Sequence, residues 1–204
     1  MKLYYSPGAC SLAAHVALLE AALSFDLVKV DLRAKTFENG RDYLKVNPKG
    51  QVPALGLDGG EVLTEGAVIV QYIADQAEGS NLAPANGSIE RYRLQEWLSF
   101  VASELHKNFS PLFNATIPED VKAFFRNRIT GKLKYVDEQL ADRDYLLGRQ
   151  FSVADGYLYT MLRWADGHKL DLSQLNSLMA FKARVEARPK VQQALTREGL
   201  MKVA

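Results

Sequence analysis

The sequence predicts an α/β domain followed by an all-helical domain. Short strand-like stretches alternate with helical ones up to about residue 80, and after that only helical patterns continue. Between them, the segment from Glu78 to Ser88 is rich in Gly, Pro, Asn and Ser. Such a composition between two stretches of different periodicity is typical of a linker. We therefore expect one domain at residues 1–80 and a second at residues 87–204.

The first domain is predicted to run strand, helix, strand, loop, hairpin, helix. The strand Lys2–Ser6 ends at a Pro-Gly turn, the helix Ser11–Leu23 repeats Leu and Val at helical spacing, and the strand Phe25–Val30 follows. A strand–helix–strand unit brings its strands together in parallel, and helices then cover the sheet. The later predicted elements are the hairpin strands Pro53–Leu57 and Glu61–Leu63 and the helix Glu65–Ala77.

The second domain shows helical patterns alone. Its long helices are predicted at Ile89–Phe113, Pro118–Leu140 and Val153–Asp166, with shorter patterns to the end of the chain. Pro118 suits a first helical turn, and Pro189 interrupts the last pattern.

Composition and charge exclude several classes of protein. Of the 204 residues 48% are hydrophobic, which excludes a disordered chain. Lys and Arg number 25 and Asp and Glu 24, so a net charge of +1 offers no basic surface to nucleic acid. No apolar run approaches the roughly 20 residues of a membrane-spanning helix, and the three histidines lack metal-ligand spacing. We therefore expect a soluble, cytoplasmic protein without nucleic-acid, membrane or metal partners.

The single cysteine is the first candidate for chemistry. Cys10 lies in the turn between the first strand and the first helix. Unpaired N–H groups at a helix start stabilise a thiolate. A lone cysteine is also often a small buried hydrophobe, and its position after a Pro-Gly break favours the functional interpretation.

Two further stretches of the first domain could bind a peptide-like ligand. In Asn47–Leu55, a cis peptide before Pro53 would expose the backbone of Val52 to an added half-strand. Glu65 opens a helix, where its carboxylate and the N–H groups could hold a zwitterion. The structural alternatives are an ordinary loop and an ordinary acidic first turn.

The helix after the linker carries a polar stripe opposite its apolar one. Ser99, Ser103, His106 and Lys107 share that face at helical spacing. Such a stripe is either solvated or flanks an anionic ligand.

The chain as a whole resembles the cytosolic glutathione S-transferases, and among them the bacterial beta class. The stretches that carry the resemblance are MKLYYSPGACS, NPKGQVPAL, TEGAVIVQYIAD, EWLSFVASELHKNFSPLF and FSVADGYLYTMLRWA, in the family's order. The resemblance implies the family's fold, a thioredoxin-like α/β domain followed by an all-α domain. It also implies a homodimer with glutathione as co-substrate.

Matching motifs imply roles for individual residues. Cys10 is implied to face the glutathione sulfur, with His106 near the same thiol. Lys35 is implied to bind the glycyl carboxylate, and Val52, beside a cis Pro53, to pair with the cysteinyl unit. We expect the helix start and His106 to lower the pKa of Cys10, which favours a mixed disulfide with glutathione. Ser11 is expected to help hold the glutathione thiolate when Cys10 is removed.

The γ-glutamyl end of glutathione is implied to lie against Glu65. The other implied glutathione contacts are Gly66, Ser99, Ser103, Glu104 and Lys107, some of them from the neighbouring subunit. Gly66 and Ser99 depart from the serine and asparagine that are frequent at these positions in the beta class, which is expected to weaken binding.

Ser152 and Asp155 match a capping box at a buried helix start. Both the residues and the resemblance give this pair a structural role. We expect it to satisfy backbone N–H groups at the start of the helix.

The resulting interpretation is a glutathione transferase that uses the glutathione thiol to attack hydrophobic electrophiles, in detoxification. Thiol transfer through the Cys10 mixed disulfide is expected beside this activity. The alternatives are a glutathione-dependent isomerase or dehalogenase and a non-catalytic binding or regulatory module. The electrophile does not follow from the sequence, although Phe109, Phe113 and Trp164 are candidate walls of its pocket.

Overall fold

The computed structural model describes residues 1–168 and 170–201, which form two compact units. Of the described residues, Met1–Ala83 and residues 188–201 make the first unit, and those within Pro84–Ala187 make the second. The division predicted from the sequence differs in one respect, because it assigns the whole chain after residue 87 to the helical domain.

A six-stranded mixed sheet forms the centre of the first unit. Its strands are β1 (Lys2–Tyr5), β2 (Asp26–Asp31), β3 (Thr36–Phe37), β4 (Arg41–Asp42), β5 (Ala54–Gly56) and β6 (Val62–Thr64), in the order β4-β3-β2-β1-β5-β6. β1 is parallel to β2 and antiparallel to β5, and Leu3 lies opposite both Leu27 and Leu55. The parallel pair and the hairpin are confirmed. The sequence does not predict β3 and β4, because two-residue strands carry no periodicity.

Helices cover the sheet and build the second unit. They are α1 (Ser11–Glu20), α2 (Gly66–Gln76), α3 (Ile89–Phe100), α4 (Lys107–Phe113), α5 (Glu119–Gln139), α6 (Val153–Gly167), α7 (Asn176–Glu186) and α8 (Pro189–Arg197), with a short 3₁₀ helix at Tyr43–Lys45 and a π-helical segment at Val101–His106. In the first unit α1 packs against α2 and α8.

The hydrophobic core of the first unit holds the loop before β5 in position. Val28, Val30, Phe37, Tyr43, Val52 and Ala54 form one buried cluster. Because Val52 belongs to this cluster, apolar burial fixes the backbone at that position.

In the second unit, the helix predicted at Ile89–Phe113 has three segments, and the π-helical segment separates α3 from α4. Side-chain donors contact carbonyls in and next to this segment. The Ser103 hydroxyl donates to the Ser99 carbonyl at 2.9 Å, and the Asn108 amide donates to the Glu104 carbonyl at 2.6 Å. π-helical turns are frequent at functional sites, and this one contains three of the candidate residues.

Candidate functional site

Cys10 lies at the N-cap of α1, where the sequence predicts it. The preceding turn is closed by the Ala9 N–H, which donates to the Ser6 carbonyl at 3.0 Å. The partly buried thiol of Cys10 donates to the Val52 carbonyl at 3.0 Å. The structure therefore brings together two residues that the resemblance assigns to the same part of glutathione.

The expected lowering of the Cys10 pKa is wrong. Burial raises the pKa of the Cys10 thiol to about 12, and it outweighs the backbone N–H groups of Cys10 and Ser11, which act in the opposite direction. The charge of Glu65 adds a smaller increase. The prediction from sequence counted the N–H groups of the helix start and omitted the desolvation of a thiolate beside them.

The role expected of Ser11 is also corrected. Its side chain is completely buried, and its hydroxyl accepts from the Ser6 N–H at 3.2 Å and donates to the Ser6 carbonyl at 3.3 Å. Ser11 therefore stabilises the turn before α1, and it does not present its hydroxyl to a thiolate.

The loop before β5 is held by two buried side chains. The Tyr43 hydroxyl and the Asn47 amide both donate to the Gln51 carbonyl at 2.8 Å. The Val52–Pro53 peptide is cis, as predicted. Sequence reasoning gave Tyr43 and Asn47 no function, although Asn47 opens the motif that it singled out. Both residues position Val52 through its neighbour.

Lys35 lies at the same loop. Its ammonium group donates to the Gly50 carbonyl at 2.7 Å. Gly50 has a φ of +63°, and an added Cβ would lie 3.1 Å from Leu44 and 3.3 Å from the Lys35 side chain. Glycine at this position therefore lets the lysine approach the loop. That Lys35 binds the glycyl carboxylate stays a prediction.

Glu65 is the N-cap of α2 and has a left-handed backbone, with φ of +70°. Its carbonyl accepts from the Val68 and Ile69 N–H groups at 3.0 and 2.9 Å, which fixes the start of the helix. Its carboxylate accepts from the Lys49 ammonium at 2.5 Å. Gly66 follows as the first residue of α2. Lys49 belongs to a motif that the sequence singles out, but sequence reasoning gave it no role.

The second unit holds the other candidate residues on α3, the π-helical segment and α4. Ser99, Ser103 and Lys107 are exposed. The Glu104 carboxylate accepts from Lys132 of α5 at 2.8 Å, and this hydrogen bond lowers the pKa of Glu104. Glu104 thus has a partner within its own chain.

His106 is held by a tyrosine that sequence reasoning missed. The His106 Nδ1 lies 2.6 Å from the hydroxyl of Tyr157, a buried residue of α6. The same ring makes a T-shaped contact with Trp164, with the ring centres 5.0 Å apart. Only the fold brings Tyr157 to His106, since 51 residues separate them in the sequence. The expected approach of His106 to Cys10 stays a prediction, because the two residues belong to different units.

The three aromatic residues expected to line an electrophile pocket have different environments. Phe109 is completely buried and belongs to the core. Phe113 is 57% exposed and packs against Trp164, with the ring centres 4.8 Å apart. Phe113 and Trp164 thus remain candidates for contact with an apolar ligand.

The predicted capping box at the start of α6 is confirmed. Asp155 is completely buried, and its carboxylate accepts from the Ser152 N–H and hydroxyl at 2.7 Å and from the Leu146 N–H at 2.8 Å. Burial raises the pKa of Asp155 to about 6, although these hydrogen bonds lower it. The pair ties α6 to the loop before it.

The described residues hold neither a cluster of metal ligands nor a membrane-spanning helix. Within residues 1–168 and 170–201, no group of three or more His, Cys, Asp and Glu side chains is arranged to hold a metal ion. None of the helices in the described part of the chain has the length and hydropathy needed to cross a bilayer.

Comparison with known proteins gives one family. The family model for the glutathione S-transferase N-terminal domain matches residues 8–76, and that for the C-terminal domain matches residues 103–198. Glutathione S-transferase GstA of Escherichia coli O157:H7 is 52% identical over 200 residues, covering 98% of this chain and 100% of that protein.

Solved structures agree in fold over nearly the whole chain. A sphingomonad glutathione S-transferase complexed with glutathione has a TM-score of 0.95 at 49% identity, covering 98% of this chain and 100% of its own. The bacterial beta-class glutathione S-transferase of Sphingomonas chungbukensis has a TM-score of 0.95 at 48% identity, with the same coverage. The predicted thioredoxin-like domain and helical domain are confirmed. The motifs, the fold and these relatives together show that the chain belongs to the glutathione S-transferase family.

Proposed function

We propose that this glutathione transferase seats glutathione against the backbone of Val52 and joins its thiol to hydrophobic electrophiles. The observation that carries the proposal is the contact of 3.0 Å between the Cys10 Sγ and the Val52 carbonyl. A tripeptide that pairs with Val52 as an added half-strand brings its cysteinyl sulfur beside Cys10. Tyr43 and Asn47 keep this edge rigid through Gln51, so little ordering is needed on binding.

Two charged side chains near the loop before β5 match the charged groups at the two ends of glutathione. The Lys35 ammonium at the Gly50 carbonyl suits the glycyl carboxylate. The Glu65 carboxylate suits the ammonium of the γ-glutamyl end, and the helix-start N–H groups from Gly66 onward suit its carboxylate. Both assignments rest on charge complementarity and on the resemblance.

Cys10 acts in this proposal as a neutral thiol. With a pKa of about 12, the Cys10 thiol is almost entirely protonated at pH 7. Its S–H turns from the Val52 carbonyl to the glutathione thiolate and donates a weak hydrogen bond. In the conjugation step a C–S bond forms, the leaving group departs with its electron pair, and water takes the thiol proton.

The resemblance assigns further roles in the proposed function to residues of the helical unit. His106, held by Tyr157, acts near the sulfur, and Phe113 and Trp164 contact the apolar electrophile. Ser99, Ser103, Glu104 and Lys107 remain the proposed polar contacts. We also propose a cytoplasmic homodimer with a role in detoxification, which the family and the mild net charge support.

Thiol transfer is the second candidate activity, because a partly exposed free cysteine lies beside the proposed glutathione sulfur. In this step the Cys10 thiolate attacks one sulfur of oxidised glutathione. The S–S bond of oxidised glutathione breaks as the mixed disulfide forms, and one molecule of reduced glutathione leaves as its thiolate. Intact-protein mass spectrometry should show one adduct of about 305 Da that a reductant removes. Because the thiolate is the nucleophile, the rate should rise about tenfold per pH unit from pH 7 to 9.5. A rate that is already flat at pH 7 contradicts the raised pKa.

Variants of Cys10 separate the two activities. Cys10→Ala should abolish the adduct and lower conjugation of an aryl halide by less than about tenfold, since a weak S–H donor contributes little. Cys10→Ser, with a stronger donor, should conjugate at least as well as wild type. Loss of all conjugation in both variants contradicts this role. A panel of aryl halides, hydroperoxides and mixed disulfides identifies the class of electrophile that the protein accepts.

A further inference from the structure

An ion pair lies at the start of α2 that neither the sequence motifs nor the proposed seat explains. The Lys49 ammonium donates to the Glu65 carboxylate at 2.5 Å and to the Thr64 hydroxyl at 2.9 Å. The two charged side chains are 51% and 64% exposed. Exposed ion pairs add little to the stability of a fold. Folding therefore gains little from this pair, and a ligand can reach both groups.

The backbone directs Lys49 to this position. The Lys49 N–H donates to the Asn47 Oδ1 at 3.1 Å, and the Asn47 amide holds the Gln51 carbonyl. The same buried asparagine therefore orients both Lys49 and the peptide before Val52. This common support links the Lys49–Glu65 pair to the loop that we propose as the glutathione seat.

The charges of the pair fit one chemical group. An α-amino carboxylate carries an ammonium and a carboxylate on the same carbon. Its ammonium can bind Glu65 while its carboxylate binds Lys49, which gives every charge an opposite neighbour. An amine without the carboxylate would only replace Lys49 at Glu65, with no net gain of ion pairs.

Among the residues around the pair, Lys49 is the one left to bind the carboxylate of such a ligand. Gly66 has no side chain, so the first residue of α2 offers a carboxylate only its N–H group. The Lys35 ammonium contacts the Gly50 carbonyl at 2.7 Å, and the proposed function assigns it to the other end of the tripeptide. Lys49 is the cation that already touches Glu65.

We propose that Lys49 is a specificity residue that binds the α-carboxylate of the γ-glutamyl group while Glu65 binds its ammonium. The inference rests on the proposed function, since it deepens the assignment of the same site. The opposing possibility is that Lys49 only masks Glu65 and competes with the ligand. The two possibilities predict opposite changes in affinity when Lys49 loses its charge.

Calorimetry with three tripeptides tests the inference. These are glutathione, its decarboxy analogue 4-aminobutyryl-Cys-Gly and its desamino analogue glutaryl-Cys-Gly. Lys49→Met should weaken glutathione binding about fivefold and remove the preference for glutathione over the decarboxy analogue, with the preference over the desamino analogue retained. Glu65→Gln should remove the preference over the desamino analogue. Both changes lie on exposed side chains, so both variants should fold.

Lys45→Met is the matched control, because Lys45 is an exposed lysine of the same unit without an ion pair in the described structure. It should bind all three peptides as wild type does. The inference is overturned if Lys49→Met binds glutathione more tightly than wild type does, or if this variant keeps the preference for glutathione over the decarboxy analogue. Either result leaves the proposed function intact. Absence of glutathione binding in wild type overturns the proposed function and this inference with it.

Discussion

At the scale of single residues, two contacts decide what the candidate catalytic side chains present to a ligand. The Cys10 S–H is directed to the Val52 carbonyl, and the His106 Nδ1 is directed to the Tyr157 hydroxyl. In the proposed function Cys10 has to change its acceptor to contact glutathione, whereas a buried partner already orients His106. The two side chains therefore differ in how much they must rearrange when glutathione binds.

The Tyr157 contact gives the residue-scale prediction. Tyr157→Phe removes the hydroxyl and keeps the ring, so His106 loses the bond that fixes its Nδ1. A hydrogen bond of this kind contributes about 0.5–1.5 kcal/mol, so kcat for conjugation should fall about two- to tenfold. KM for glutathione should stay unchanged, because Tyr157 positions His106 and is not proposed to touch the tripeptide. The ¹⁵N chemical shifts of the His106 ring should report the lost bond.

Tyr159→Phe is the control for this prediction. Tyr159 is a buried tyrosine of the same helix, and its hydroxyl contacts Arg163 at 3.4 Å. Its removal should leave kcat and the His106 spectrum unchanged. Equal losses of kcat in both variants would show a general effect on α6 and contradict a specific role for Tyr157.

At the scale of elements, two helix starts show how burial and N–H donors compete. At α1 burial raises the pKa of Cys10 to about 12, and at α6 burial raises that of Asp155 to about 6, although backbone N–H groups oppose both shifts. Donors at a helix start therefore do not by themselves secure an ionised group. The desolvation of the charge decides the direction in both helices.

The raised pKa of Asp155 predicts how stability depends on pH. In the unfolded chain the pKa is about 3.9, so between about pH 4 and 6 the folded protein binds the extra proton. The contribution of Asp155 to the free energy of unfolding is therefore fully present below about pH 4 and is lost as the pH rises through about 6. The free energy of unfolding of wild type minus that of Asp155→Asn should fall by about 2 kcal/mol from pH 4.5 to 7.5. Urea denaturation of both proteins measures this difference.

Ser152→Ala serves as the second variant for the α6 start. It removes one donor and keeps the Asp155 carboxylate, so it should be less stable than wild type by about 0.5–2 kcal/mol. Its stability should still fall with rising pH as that of wild type does. A wild-type advantage over Asp155→Asn that grows with pH would mean that folding lowers the pKa of Asp155, and it would contradict the raised value.

At the scale of the whole molecule, the features that the sequence predicts correctly are those formed by residues close together along the chain. The β1–β2 pair, the hairpin and the α6 capping box involve neighbours along the chain or a short crossover. The cis peptide before Pro53 followed from the motif. Contacts set by tertiary packing were missed, among them the 51-residue span from His106 to Tyr157. The raised pKa of Cys10 was missed for the same reason, since burial is a property of the folded molecule.

The assembly of the molecule gives the last prediction. The resemblance implies a homodimer, and the first turn of α3 exposes Ile89 and Tyr92 on one face, at 63% and 59%. Light scattering at micromolar concentration should therefore give twice the chain mass of 22.7 kDa.

If this face is the interface, Tyr92→Glu should shift the mass towards that of one chain and lower turnover, because a charge in an apolar interface is costly. Phe124→Glu, at a side chain 60% exposed on α5, should leave both unchanged. A wild-type protein that scatters as one chain with full turnover contradicts the dimer. A dimer that persists in Tyr92→Glu contradicts this face.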